Sequence, residues 1–336
     1  MARILVVGAT GQLGTAVVRQ ALDAGHHVRA LVRPKSQHWH LHDNQRLEVS
    51  FGDLRNVASL ETACTDIDAI ISTATVVFPK GQYSFEQDEG LGYQNLLKAG
   101  TRAEVKQILF VSIAMPFTPQ NLQQVPSLRM KARCEDLIRE AKPRHTIFRC
   151  APFMDDYFAL IGSEIPLRGE IAATLDRSRG MTRVYRSLFG CTIEKYGTAV
   201  VPGRKTSRHA FIAVADVAAY LVAAIDHADA RNATIEIGGP QCLSWQEVAD
   251  IYSQLIGRRV RVLSQPPQLL QMLARVTARL SEAVSNQLAL LWLLAENETA
   301  LDSRTSALRF GITMTDAESY LARKVGGVSA NEKGIA

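Results

Sequence analysis

Gly8, Gly11 and Gly14 stand three apart, directly after the apolar run Ile4–Val7 and directly before a helical pattern. A strand that turns tightly into a helix needs residues without a β-carbon. Gly8 reverses the chain, Gly11 lets a diphosphate approach the backbone, and Gly14 lets the helix lie close on the sheet. The helix start then turns unpaired N–H groups and a positive dipole end towards phosphate. In this strand-to-helix setting the spacing predicts dinucleotide binding by Gly8, Thr10, Gly11, Gln12, Leu13 and Gly14. The second strand indicates which dinucleotide. A site for an unphosphorylated ribose ends that strand with an acidic residue, whereas here it ends Val32, Arg33, Pro34, Lys35, Ser36. Arg33 can fork onto a 2′-phosphate with Lys35 and Ser36 beside it, so NADP(H) is the expected cofactor.

The elements that position these residues follow from periodicity. Short β-branched runs predict strands over Arg3–Val7, Val28–Val32, Leu47–Phe51, Ala69–Ser72, Gln107–Ser112 and Thr146–Arg149. Helical spacing predicts Leu13–Ala24, stopped by Gly25, and Leu128–Ala141, stopped by Pro143. Such alternation builds an α/β fold, a Rossmann-like doubly wound parallel sheet with a smaller, mostly helical substrate-covering region. Residues 1–152 are the expected cofactor domain and 153–208 a substrate-covering region of helices and loops. Residues 209–240 return to the core through a strand at Ala210–Val214, a helix at Asp216–Asp226 and a strand at Thr234–Ile237. In 241–330, Ser244 and Glu247 form a capping box for a helix over Trp245–Ile256, and Pro267–Ala295 reads as one or two amphipathic helices.

Composition narrows the function classes. Among 336 residues 47% are apolar, and 38 basic against 33 acidic residues leave a net charge of only +5 with no massed basic run. No nucleic-acid footprint is required. The apolar run Leu288–Ala295 is only eight residues long before Glu296 interrupts it, too short to span a bilayer. The first residues read as a strand rather than a signal peptide, which makes the cytoplasm the expected compartment. Cys64, Cys134, Cys150, Cys191 and Cys242 lack paired spacing and read as reduced thiols. His38, His40 and His42 alternate in a manner that can hold a transition metal, but a solvated loop is the favoured reading and no metal is expected.

Together these residues resemble the short-chain dehydrogenase/reductase superfamily, and most closely its atypical, NmrA-like branch. The likeness rests on Gly8, Gly11 and Gly14, on Val32 and Arg33, and on Gly52, Asp53 and Leu54. It continues through Phe110, Val111 and Ser112, then Lys131, Glu135, Arg149 and Pro152, with a later junction over His209–Asp216. The resemblance implies that Asp53 and Leu54 lie against adenine, that Thr73, Ala74 and Thr75 line the loop under the cofactor, and that Lys131 sits near the nicotinamide ribose. It also exposes a departure. The usual acid is a tyrosine four residues before the lysine, and that position here is Ser127.

A serine hydroxyl is too weak an acid to replace a phenol. Lys131 is the first catalytic candidate, able to polarise a substrate oxygen. Ser112, at the carboxyl end of a central strand, can orient a carbonyl or merely cap a turn. Arg149, Pro152 and Phe153 could meet the nicotinamide side. Among Tyr83, Tyr93, Tyr157, Tyr185 and Tyr196, Tyr157 is the favoured replacement acid, and the literal pair Tyr320 and Lys324 reads as chance. The expected function is NADPH-dependent reduction of an electron-poor C=C, quinone or C=O in a small molecule. The alternative is a non-catalytic NADP(H)-binding regulator or assembly factor with a protein partner. Peripheral membrane contact through Leu288–Ala295 is a third reading, with core burial its usual explanation.

Overall fold

A computed structural model describes residues 1–34, 36, 44–75, 90–175 and 190–331. Its first part runs β1 (Arg3–Val7), α1 (Gln12–Asp23), β2 (His27–Val32), β3 (Leu47–Phe51), α2 (Val57–Cys64), β4 (Ala69–Ser72), α3 (Leu91–Arg102), β5 (Gln107–Ile113), α4 (Pro119–Gln124), α5 (Pro126–Glu140) and β6 (Arg144–Cys150). Next come α6 (Met154–Leu160), α7 (Thr192–Tyr196), β7 (Thr198–Pro202), β8 (Arg208–His209), α8 (Val214–Ala223), β9 (Ala233–Ile237) and β10 (Leu243–Ser244). The chain ends with α9 (Trp245–Ile256), β11 (Arg261–Gln265), α10 (Pro267–Thr277), α11 (Glu282–Glu296), α12 (Ser303–Phe310) and α13 (Ala317–Asn331).

Seven strands form one parallel sheet in the order β3-β2-β1-β4-β5-β6-β9, the expected Rossmann-like α/β architecture. Alternation within β1 shows why its run is continuously apolar. Ile4 and Val6 enter a core with α1 and α8, while Leu5 and Val7 enter a second core under α2, α3 and α5. Both faces are covered, so neither can be polar. The sheet order reverses between β1 and β4, and the crevice at their carboxyl ends is where such folds take ligands.

A third core lies beyond the sheet and joins Phe158 on α6, Phe211, Trp245 and Tyr252 on α9, and Trp292 on α11. Its backbone partners are far apart in sequence: β7 pairs in parallel with β11, and β8 antiparallel with β10. The expected capping box is present, with Ser244 accepting from the Glu247 amide while Glu247 reaches back to the Ser244 amide. Pro267–Ala295 forms two helices. In the second of them Ala289, Trp292, Leu293, Leu294 and Ala295 are buried and Leu288, Leu290 and Leu291 pack partly buried against the same core, so Leu288–Ala295 serves the core.

The strand expected at Ala210–Val214 requires correction. Only Arg208–His209 is paired as a strand, and α8 begins at Val214, two residues ahead of Asp216. Residues 210–213 run extended between two cores, Ala210 and Ile212 facing one and Phe211 and Ala213 the other. That two-sided burial reproduces a buried strand's composition without a ladder. The amides of Ala210 and Ile212 donate instead to Thr299 O and Pro152 O, and Phe153 and Ile212 form an isolated bridge.

His209 ends β8 with no exposed surface, its Nδ1 3.0 Å from Thr299 Oγ1 and its ring against Trp245. Burial pushes its pKa down to about 4 from 6.5. Between those values the unfolded chain takes a proton that the folded chain refuses, so stability is complete above pH 6.5 and is lost as pH falls towards 4. Chemical denaturation at pH 7 and pH 4.5 should show His209→Gln losing about 2–3 kcal/mol less than the unaltered chain over that interval. Equal losses would mean that His209 takes up a proton within the fold.

Candidate functional site

The crevice begins at Gly8, which follows β1 with φ of +88°. A β-carbon there would lie 2.8 Å from the Ala74 amide nitrogen and 2.9 Å from Thr73 Oγ1, so the loop after β4 closes directly on the turn. Gly14 answers a different constraint: its β-carbon would lie 2.1 Å from the Gly8 carbonyl oxygen. The Gly11 amide donates to that same carbonyl at 2.8 Å, closing the turn. Gly11 itself has φ of −75°, open to any residue, and its β-carbon would stand 3.2 Å from Gly8 O. No side chain caps α1 at Gly11 and its first turn holds no acid. The amides of Gln12, Leu13 and Gly14 therefore face the crevice without an intrahelical acceptor.

Neighbouring residues support this cradle. The Thr73 amide donates to Val7 O at 2.9 Å, and Tyr93 Oη donates to Ala74 O at 2.9 Å while lying 2.7 Å from Ser72 Oγ. Tyr93 is fully buried and buttresses the loop. Gln12 is 6% exposed, and its Oε1 accepts from the amide and hydroxyl of Thr174 at 3.0 and 3.2 Å. This ties α1 to the segment after β6. The Gln12 Nε2 is buried without a partner among the described residues, an orphaned donor beside the helix start. Uncapped amides, an orphaned donor and glycines whose β-carbons would fill the turn together fit a bound diphosphate.

At the other end of the crevice, Arg33 is exposed just past β2, and the Ser36 amide donates to its carbonyl at 2.8 Å. Asp53 follows β3, with both carboxylate oxygens held by Arg55 at 2.9 and 2.8 Å. The Arg55 hydrogen bonds outweigh partial burial and hold the Asp53 carboxyl below its ordinary range, with the Arg33 charge adding to the effect. Two guanidiniums thus surround this corner. Arg55 was not signalled by the sequence, because its pairing with Asp53 has no periodic signature. Leu54 is partly buried against Gly92 on α3. Lys35, His38, His40, His42, Tyr83 and Tyr185 lie outside the described residues.

The catalytic candidates do not converge as expected. Lys131 on α5 is 7% exposed, with Nζ 4.7 Å from the Phe110 ring centre. One helical turn earlier, the Ser127 amide donates to Asn286 Oδ1 at 2.9 Å. Ser127 Oγ and Asn286 Nδ2 are both buried without a partner among the described residues. Asn286 on α11 thus lies against the position that the family gives to a phenol, and its distance of 159 residues hid it from sequence reasoning.

Ser112 and Arg149 turn out to have structural partners. Ser112 Oγ donates to Glu135 Oε1 at 2.6 Å, and Arg149 donates to the two oxygens of Glu135 at 3.0 and 2.7 Å while lying 4.5 Å over Phe117. Burial would raise the Glu135 carboxyl, but the hydrogen bonds from Arg149, Ser112 and Arg139 hold it below its ordinary range. The Ser112 proton therefore links β5 to Glu135 on α5. Tyr157 on α6 is partly buried, and burial, helped by the Asp156 charge, pushes its phenol upward. An acid tuned by a neighbouring ammonium would shift the other way. Tyr196 is exposed, and Tyr320 is a packing residue against Phe158. Pro152 and Phe153 are fixed through their backbones to Ile212.

A parallel sheet reversing at β1 and β4, with a glycine turn at the reversal, defines the Rossmann-type fold of NAD(P)-binding reductases and epimerases. The chain belongs to the NmrA-like family, whose model matches residues 1–321. Photosystem II assembly factor Ycf39 of Guillardia theta is 25% identical over 95% of this chain and 92% of its own length. Among solved structures, the NADPH-dependent quinone oxidoreductase QOR2 of Escherichia coli, complexed with NADPH, has a TM-score of 0.66 at 16% identity, covering 95% of this chain and 99% of its own. The Citrobacter sp. triphenylmethane reductase complexed with NADP(H) has a TM-score of 0.68 at 19% identity, over 96% and 99%. At such identities these two structures share the fold.

The glycines separate stability from binding. Gly14→Ala should destabilise the fold by about 3 kcal/mol or more, because backbone stands in the way. Gly11→Ala should cost no more than about 1 kcal/mol yet weaken nucleotide binding at least about tenfold. Denaturation and calorimetric titration of both variants test this; equal effects on stability would contradict the assignment.

Proposed function

We propose that this chain is an NADPH-dependent reductase of electron-poor small molecules, with quinone-type acceptors as the favoured class. Residues 1–152, with 209–240, would hold the nucleotide; 153–208 and 241–330 would cover the substrate. The main-chain amides at Gly11–Gly14 would take the diphosphate, and Thr10, Thr73, Ala74 and Thr75 would line its floor. Arg33, with Lys35, Ser36 and Arg55, would take the 2′-phosphate, and Asp53 with Leu54 the adenine side. When bound, NADPH supplies a hydride.

The observation that carries this reading is the enclosed Ser127 hydroxyl beside a retained, nearly buried Lys131. With no acid at that position, reduction of a simple ketone lacks a proton donor for the alkoxide that forms. A quinone, or a conjugated cation, has a different requirement. It accepts the electron pair into a delocalised system, and any proton can follow from water. Lys131 would hold the developing oxyanion by charge alone, without giving up its proton.

A second reading draws on the relatives named as photosystem II assembly factors, among which this chain covers 92% of the Guillardia theta protein. Here the nucleotide would set the shape of a protein-binding surface, with no turnover.

Following NADPH oxidation with quinones, cationic dyes and simple ketones distinguishes these. The reductase reading predicts turnover of quinones or dyes but not of ketones, an approximately hundredfold loss in Lys131→Ala and little change in Ser127→Ala. Tight NADPH binding without oxidation by any acceptor, together with a partner protein whose affinity follows nucleotide occupancy, would replace it with the assembly reading.

A further inference from the structure

The outer helix α10 has two apolar faces where a surface helix needs one. Leu270 and Ala274 are buried against the third core. Leu269, Met272, Leu273 and Val276 point outward, and Leu280 follows just past the helix. Their exposure runs from 37% at Leu273 to 83% at Leu280. At about 100° per residue, the four helical positions fall in one stripe about 100° wide, roughly a third of a turn from the buried face. Leu263 on β11, just ahead of the helix, is also 58% exposed. A stripe this continuous is unusual on a surface that only water covers.

Charge tells what covers it. Between Ile251 and Ser281 the sequence has Arg258, Arg259, Arg261, Arg275 and Arg279 and not one acidic residue. All five arginines are exposed. Arg275 lies on α10 and Arg279 just past it, while Arg258, Arg259 and Arg261 precede it, just before and at the start of β11. Arg275 and Arg279 fall at one edge of the stripe, where long side chains can reach outwards around apolar contacts.

We propose that α10 is an in-plane docking helix for an anionic lipid surface, its leucines, methionine and valine entering the acyl boundary and its arginines meeting the headgroups. A second copy of the chain fits less well, because face-to-face pairing would set Arg275 and Arg279 of one copy against those of the other. The stripe also holds no polar group to make the directional contacts of a polar protein interface. This surface is separate from the nucleotide crevice and does not depend on the reading of its chemistry.

Sedimentation of the full chain with phosphatidylcholine vesicles, with and without about one third phosphatidylglycerol, tests it. Binding to the anionic vesicles should exceed neutral binding by about tenfold or more and weaken with salt. Met272→Gln with Val276→Gln, both at exposed positions, should abolish binding while thermal melting stays unchanged. Arg275→Gln with Arg279→Gln should remove the preference for anionic vesicles. The proposal is overturned by equal binding to neutral vesicles, by no vesicle binding, or by binding of poly-glutamate without vesicle binding. A dimer in solution that the Met272 and Val276 changes dissociate would also overturn it.

Discussion

The close approach of Gly14 to the Gly8 carbonyl governs the amino-terminal half of the molecule. A β-carbon at Gly14 would sit 2.1 Å from that oxygen, so its absence lets α1 begin after only the four-residue turn Gly8–Gly11 that follows β1, with no side-chain cap. The first-turn amides are thereby left at the sheet's reversal point, where the loop after β4 also arrives. Removing this contact moves α1 away from the sheet, and with it Val17, Val18 and Ala21, which fill the core shared with α8. The same steric condition thus governs the packing of α1 and the exposure of its first-turn amides.

A second constraint acts deeper in the crevice. Glu135 is fully buried and is tolerated because Arg149, Arg139 and Ser112 supply its hydrogen bonds. Removing one partner from such a buried set generally costs more than the set contributes, so it acts as a lock for α5 against β5 and β6. That lock sets the helix position from which Lys131 reaches Phe110 and Ser127 reaches Asn286.

Local signals were legible in the sequence, and distant partnerships were not. β1 and β4, the glycine turn and the Ser244 cap each depend on residues within a few positions, so spacing alone exposes them. The run at Ala210–Val214 misleads because burial on alternating sides imitates a strand, and only the tertiary setting shows that no neighbour completes its ladder. β7 and β11 pair across about sixty residues of sequence, and Asn286 reaches Ser127 across 159. No local pattern encodes such meetings. Ser112 was recognised as important from its place at the end of β5, but its partner Glu135 depends on which face α5 turns to the sheet.

The proposed function rests on nucleotide held by the main chain at Gly11–Gly14, with Arg33 proposed to choose the phosphorylated ribose. Calorimetric titration of the folded chain with NADPH and NADH tests this most directly. Both should bind, NADPH more tightly, and Arg33→Ala should cost NADPH about tenfold or more while changing NADH little. If neither nucleotide binds, the central claim fails; if Arg33→Ala weakens both alike, the arginine does not select the cofactor.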